Sequence, residues 1–81
     1  MSGAQRHAAI QRMESYCEAH PCSPSAVRRP RLMKRGKLWV VLLGADLRDG
    51  IVGLGPTAEA ALRAFDAQYL AGLRPPVAAA A

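Results

Sequence analysis

The sequence is poor in aromatic residues, in cysteine and in long apolar runs. Aromatic residues make up 5% of the 81 residues. A chain this short, with few large side chains, can bury only a thin core, and partner subunits often complete such cores. We therefore expect one small domain that depends in part on contact with another protein.

Cys17 and Cys22 are the only cysteines of the chain. Two cysteines do not make a disulfide framework, and the N-terminus does not resemble a signal peptide. The longest apolar run, 38–43, is far shorter than the roughly 20 residues that a membrane-spanning helix needs. We expect a cytoplasmic protein with reduced thiols and no membrane segment.

The net charge of +5 comes from a single segment. Residues 1–26 carry a net charge of 0 and residues 38–81 carry −1, whereas residues 27–37 carry +6. We name this segment the basic strip, and its cations are Arg28, Arg29, Arg31, Lys34, Arg35 and Lys37. The positive charge is therefore a local feature and not a property of the whole chain.

The stretch 38–70 carries the clearest structural signals. Residues 38–43 are all apolar, which predicts a central strand that is covered on both faces. Gly53 and Gly55 lie on one side of a third strand, 51–55, and allow another backbone to approach closely. Thr57 is a typical N-cap for the helix that follows. One face of that helix is apolar, with Ala58, Ala61, Leu62, Phe65, Tyr69 and Leu73 at helical spacing.

The flanking segments complete the predicted fold. An edge strand is predicted at 27–33, where Pro30 is tolerated, with a hairpin loop at 34–37 that contains Gly36. Residues 1–20 can form a helix with a narrow apolar stripe at Ala9, Ile10, Met13, Tyr16 and Cys17. We predict an α+β fold, a three-stranded antiparallel β-meander packed on a C-terminal helix. The predicted organisation is an N-terminal helix and flexible linker at 1–26, a β-β-β-α domain at 27–73 and a disordered tail at 74–81.

The central strand presents apolar side chains on both sides. Leu38, Val40 and Leu42 point one way, and Trp39, Val41 and Leu43 point the other way. The C-terminal helix can cover one set only, and the N-terminal stripe is narrow. We expect a second copy or a partner protein to cover the other set, and we expect an N-terminal segment that is partly mobile.

From residue 38 onward, the chain contains four segments in this order: LWVVLLG, ADLRDG, IVGLG and a threonine-initiated helix with EAALRAFD. The order of these segments resembles that of small uncharacterised proteins encoded by phages and prophages. The part from Gly55 to Leu62 is also similar to the partial RNase-H-like domain of HicB-type antitoxins. That similarity is carried by the glycine, by the threonine N-cap and by the E-A-L start of the helix. The resemblance implies a phage-related α+β protein, with an antitoxin-like inhibitor as one form of its function.

Several groups of residues could in principle bind a ligand or catalyse a reaction, but their patterns favour a structural role. The spacing typical of a zinc site is absent from the possible ligands Cys17, His20, Cys22 and His7. The turn at 53–57 lacks the lysine and the βαβ unit that a phosphate-binding loop needs. The carboxylates of Asp46 and Asp49 are predicted in a turn, and those of Glu59 and Asp66 on a solvated helix face. We predict no enzymatic activity, no metal and no cofactor.

The basic strip permits two interpretations. Its cations can bind nucleic-acid phosphates with salt-dependent affinity, or they can protect a sheet edge from pairing with other chains. The leading functional hypothesis is a non-enzymatic protein-interaction module that uses residues 38–43. The alternative is a nucleic-acid-binding accessory protein that uses the basic strip.

Overall fold

The computed structural model describes residues 3–73 of the chain. Helix α1 spans Gly3–Ala19, the short helix α2 spans Pro24–Arg28, and helix α3 spans Ala58–Leu73. Strands β1, β2 and β3 span Arg31–Arg35, Leu38–Leu43 and Ile51–Gly55. The strands form one antiparallel sheet in the order β1-β2-β3, and α3 packs on it, which confirms the predicted α+β fold. The predicted disordered tail at 74–81 lies outside the described residues.

A tight hairpin sets the register between β1 and β2. Arg35 pairs with Leu38, so the loop consists of Gly36 and Lys37 alone. Gly36 has a φ of +61°, a value that the first residue of such a loop requires and that glycine adopts without strain. The hairpin register places Leu32 opposite Val41.

Two glycines of β3 bring α3 onto the sheet. A Cβ atom added at Gly53 would collide with the backbone of Ala61 and Phe65, and one added at Gly55 would lie 2.7 Å from the nitrogen of Ala61. The predicted close approach of a second backbone is therefore confirmed. Thr57 caps the helix as predicted, because its Oγ1 accepts the N–H of Ala60 at 3.1 Å.

The N-terminal helix belongs to the core. Met13, Tyr16 and Cys17 are buried and form one apolar cluster with side chains of α3 and with Trp39 of β2. The sequence analysis expected a partly mobile N-terminal segment, and the structure instead packs one side of α1 into this cluster. A polar contact that the apolar pattern does not reveal joins the helices, since the Tyr16 hydroxyl donates to Asp66 of α3 at 2.6 Å.

The segment predicted as a linker at 20–26 contains a helix. The Ser23 hydroxyl accepts the N–H of Ala26 at 3.2 Å, and Pro24 occupies a position in the first turn where its missing N–H costs nothing. Arg29 ends α2 in the left-handed conformation, with φ 51° and ψ 58°. Because α2 occupies Pro24–Arg28, the strand predicted at 27–33 begins only at Arg31.

Candidate functional site

The sheet has one covered face and one uncovered face within the described residues. The buried cluster under α1 and α3 includes Trp39 and Val41, and Leu43 is half-buried against it. Side chains at alternate positions point away from both helices. We name these the open face, and its members are Arg31, Met33, Arg35, Leu38, Val40, Leu42, Val52 and Leu54.

The strand register arranges the open face in rows. Arg31, Leu42 and Val52 form one row, and Met33, Val40 and Leu54 form the next. The middle residues Val40 and Leu42 are buried, with 6% and 5% exposure. The outer leucines are not covered, since Leu38 is 47% exposed and Leu54 is 55% exposed. The open face is therefore an apolar surface with an arginine at two corners.

The loop between β2 and β3 adds a leucine to this surface. Asp46 shapes the loop, because its Oδ1 accepts the N–H of Arg48 at 2.9 Å and that of Asp49 at 2.8 Å. This turn places Leu47, 55% exposed, on a groove of about 490 Å³ that Val40, Leu42 and Leu54 also line. The predicted turn at Asp46 and Asp49 thus extends the open face.

The predicted interface residues of β2 are divided between the two faces. Leu38, Val40 and Leu42 belong to the open face, whereas Trp39 and Val41 lie in the buried cluster of this chain. The two apolar sides of β2 and the covering helix α3 were predicted from the sequence. The position of both long helices on the same side of the sheet was not predicted.

The basic strip does not act as one surface. Arg28 donates from Nε to the hydroxyl of Tyr69 at 2.8 Å, and its guanidinium lies 5.7 Å from the centroid of that ring. Arg29 forms an ion pair of 2.8 Å with Glu14, and that hydrogen bond raises the pKa of the Arg29 guanidinium. These two cations are engaged by α3 and α1.

The remaining cations of the basic strip lie on β1 and its hairpin. Arg31 and Arg35 lie on the open face, and Lys37 lies in the hairpin loop. Lys34 lies on the opposite side of β1, with Nζ 5.8 Å from the centroid of the Trp39 ring. Among the described residues, none of these four cations forms an ion pair with a carboxylate.

Asp66 is the residue whose role the sequence analysis missed. It was predicted on a solvated helix face, but its Oδ1 accepts the Ser25 N–H at 2.8 Å and the Ser25 hydroxyl at 2.7 Å, while Oδ2 accepts the Tyr16 hydroxyl. Burial and this last hydrogen bond raise the pKa of Tyr16. The network ties three helices together, so its role is structural. The one signal in the sequence was that Asp66 lies one turn after Leu62 and next to Phe65, both on the apolar face of the helix. This position does not identify Tyr16 and Ser25 as its hydrogen-bond partners.

The other predicted chemical sites are separate from one another. Cys17 is buried, which raises the pKa of its thiol, whereas Cys22 is exposed. Within residues 3–73, no group of three His, Cys, Asp or Glu side chains is arranged to hold a metal ion. Glu59 is partly exposed and forms an ion pair of 3.4 Å with Arg12. No helix of the described part is long and apolar enough to cross a membrane.

Comparison of the chain with protein-family models, with curated proteins and with solved structures finds no match. The resemblance to phage-encoded proteins and to HicB-type antitoxins therefore stays a prediction. The open face and the edge of β1 are the two surfaces of the described residues that are suited to binding.

Proposed function

We propose that this chain is a non-enzymatic protein-interaction module and that it forms a homodimer through its open face. The observation that carries the proposal is the exposure of Leu38 and Leu54 around the buried pair Val40 and Leu42. Contiguous exposed apolar surface on a small domain is typical of an interface. A domain of this size also gains stability by burying such a surface against a partner.

A second copy of the chain is a suitable occupant of the open face, because a two-fold contact lets the same apolar surface cover itself. The two arginines of the open face, Arg31 and Arg35, both lie on the outer strand β1. A second copy can therefore stack on Val40, Leu42 and Leu54 while the β1 strands of the two copies lie at opposite edges of the contact.

The polar network at Asp66 supports a structural rather than a catalytic role for the most extensively hydrogen-bonded carboxylate. Both of its oxygens accept hydrogen bonds from Tyr16 and Ser25. A carboxylate held in this way stabilises the packing of the three helices. The proposal therefore assigns function to surfaces and not to a reaction.

The proposal is tested by the molar mass of the full chain in solution, measured by light scattering over a range of concentrations. We expect a dimer whose dissociation constant rises at least tenfold when Leu54 is changed to Asp, because the change places a charge on the exposed apolar surface of the open face. The matched control is Leu70→Asp, since Leu70 is 48% exposed on α3 and lies outside the open face. Circular dichroism spectra establish that both variants keep their secondary structure.

Two results would overturn the proposal. One is a monomer at concentrations up to about 1 mM, the range in which even weak association is detected. The other is a dimer that Leu54→Asp leaves intact and Leu70→Asp dissociates, because the contact would then involve α3. Association with a different protein in place of a second copy would be detected as a monomer in the first measurement.

Nucleic-acid binding through β1 and its hairpin is the second candidate function. It is favoured by Arg31, Arg35 and Lys37, which have no carboxylate partner among the described residues. Binding to short DNA or RNA should weaken as salt rises and should be lost on replacing Arg31 and Arg35 by Gln. Replacing Arg28 and Arg29 should have little effect, because Tyr69 and Glu14 already engage them. An equal loss from both pairs would contradict this version of the candidate.

A further inference from the structure

The outer edge of β1 is an unpaired strand edge. Arg35 and Leu38 close the hairpin, and alternate pairs of an antiparallel ladder exchange hydrogen bonds, so Leu32 and Lys34 direct their N–H and C=O groups away from β2. No backbone group of the described residues outside the sheet bonds to them. Four hydrogen-bonding groups are thus available to one more strand.

Cations lie on both sides of this edge. Arg31 lies on the open face, and Lys34 lies on the side of the sheet that carries the helices. Arg6 of α1 lines the same surface groove, of about 660 Å³, as these two residues. A strand added at this edge would therefore have positive charge next to both of its faces.

An apolar groove lies beside the same edge, between α1 and β1. It has a volume of about 180 Å³ and is lined in part by Ile10, Met13, Pro30 and Leu32. Ile10 is 54% exposed there, although it belongs to the predicted apolar stripe of α1. A side chain opposite Leu32 in an added strand would point over this groove and cover it.

From these three features we propose that the edge of β1 accepts a fourth strand from a partner protein, in which four successive residues are acidic, apolar, apolar and acidic. The two acidic residues lie opposite Arg31 and Lys34, and the two apolar residues lie opposite Leu32 and Met33. The pattern is the same in either direction, so it holds for a parallel or an antiparallel strand. Main-chain hydrogen bonds supply affinity, and the alternate side chains supply specificity.

The same cations exclude a second copy of this chain at the edge. Pairing of two β1 strands would bring Arg31, Lys34 and Arg35 of both copies together, and like charges on adjacent strands destabilise a sheet. The edge is therefore selective, because it repels the β1 strand of a second copy and attracts acidic strands. The inference is independent of the proposed dimer, which uses the open face and leaves the edge free.

The test is an NMR amide titration of the full chain with the capped peptide S-T-E-V-I-E-T-S. We expect the largest shifts at Leu32 and Lys34, and slower hydrogen exchange of both amides in the complex. The matched control peptide carries lysine in place of both glutamates and should bind about tenfold more weakly, as two cross-strand charge pairs change from attraction to repulsion. A third peptide, N-methylated at each of the four central amides, keeps the charges and should not bind, because neither of its edges can donate main-chain hydrogen bonds from these residues to β1.

The variant Arg31→Glu, Lys34→Glu should reverse the preference and bind the lysine peptide, a gain of function that also establishes that the variant folds. The neutral variant Arg31→Gln, Lys34→Gln should reduce the difference in affinity between the two peptides, with Arg6 and Arg35 as the cations that remain at the groove. Equal binding of both peptides to the native chain would overturn the inference, as would no shift at Leu32 and Lys34 up to about 1 mM peptide. Shifts at Leu38 and Leu54 instead, or tighter binding of a short single-stranded DNA or RNA at the same edge, would overturn it as well.

Discussion

The hydroxyl of Tyr16 on α1 lies 2.6 Å from Oδ2 of Asp66 on α3, and it donates a hydrogen bond to that carboxylate. The other carboxylate oxygen accepts two hydrogen bonds from Ser25, which is fully buried at the start of α2. One side chain therefore holds all three helices on the same face of the sheet. Because α1 is held there, no described element covers the open face.

Changing Tyr16 to Phe should lower the free energy of unfolding by about 1.5–3 kcal/mol, the range for a hydrogen bond to a charged group. Chemical denaturation measures the change. The control is Tyr69→Phe. The Tyr69 hydroxyl is hydrogen-bonded to the exposed Arg28 side chain. Removing this hydroxyl should lower the free energy of unfolding by less than about 0.5 kcal/mol. Equal losses in the two variants would contradict a special role for Asp66.

The same tyrosine should make stability depend on alkaline pH. The pKa of Tyr16 is raised above its ordinary value of 10.0 by burial and by the Asp66 carboxylate, so the folded state keeps the phenol proton to a higher pH than the unfolded state. Its contribution is complete below about pH 10 and is lost as pH rises further, by up to about 1.4 kcal/mol per pH unit. Denaturation midpoints of the native chain and of Tyr16→Phe should therefore converge above that pH. Midpoints that stay the same distance apart would contradict the raised pKa.

Gly53 should tolerate no larger residue. A Cβ atom at this position would collide with the backbone of Ala61 and Phe65, which cannot move without lifting α3 from the sheet. We expect Gly53→Ala to destabilise the protein by about 1–3 kcal/mol or more, as overpacking does. Gly72→Ala is the matched control, since Gly72 lies near the end of α3 with nothing within 4 Å of an added Cβ, and it should change stability by less than about 0.5 kcal/mol. Thermal melts would measure a large downward shift for Gly53→Ala alone.

Met13 and Ile10, the two large non-aromatic side chains of the apolar stripe of α1, should differ in their contribution to stability. Met13 is 8% exposed and Ile10 is 54% exposed. Met13→Ala should cost about 2–5 kcal/mol, whereas Ile10→Ala should fall within about 0.5 kcal/mol. Deletion of residues 1–22 should accordingly unfold the domain. A deletion variant with a native-like NMR spectrum would show that α1 is dispensable.

Local signals in the sequence predicted the second half of the fold. The apolar run at 38–43, the spacing of Gly53 and Gly55 and the Thr57 cap each act within a few residues, and each corresponds to an observed feature. Helix α2 was missed because its cap, Ser23, and its first residue, Pro24, were interpreted as part of a flexible linker. Pattern recognition that uses composition alone does not distinguish these two outcomes.

The location of α1 could not be predicted, because it depends on contacts between residues far apart in the sequence. Tyr16 and Asp66 are separated by 50 positions, and neither residue alone indicates its partner. The basic strip was interpreted as one unit for the same reason, although Tyr69 and Glu14 engage its first two cations. The open face was predicted in part. Residues 38–43 have apolar side chains on both sides, and the apolar face of the C-terminal helix can cover one side only.

Intermolecular NOEs in a mixture of isotope-labelled and unlabelled chains would show whether two copies of this chain meet through their open faces. We expect intermolecular contacts among the methyl groups of Leu38, Leu47 and Leu54, with none from Leu70. An absence of intermolecular NOEs at millimolar concentration, or contacts that come from Leu70 alone, would exclude a dimer through the open face.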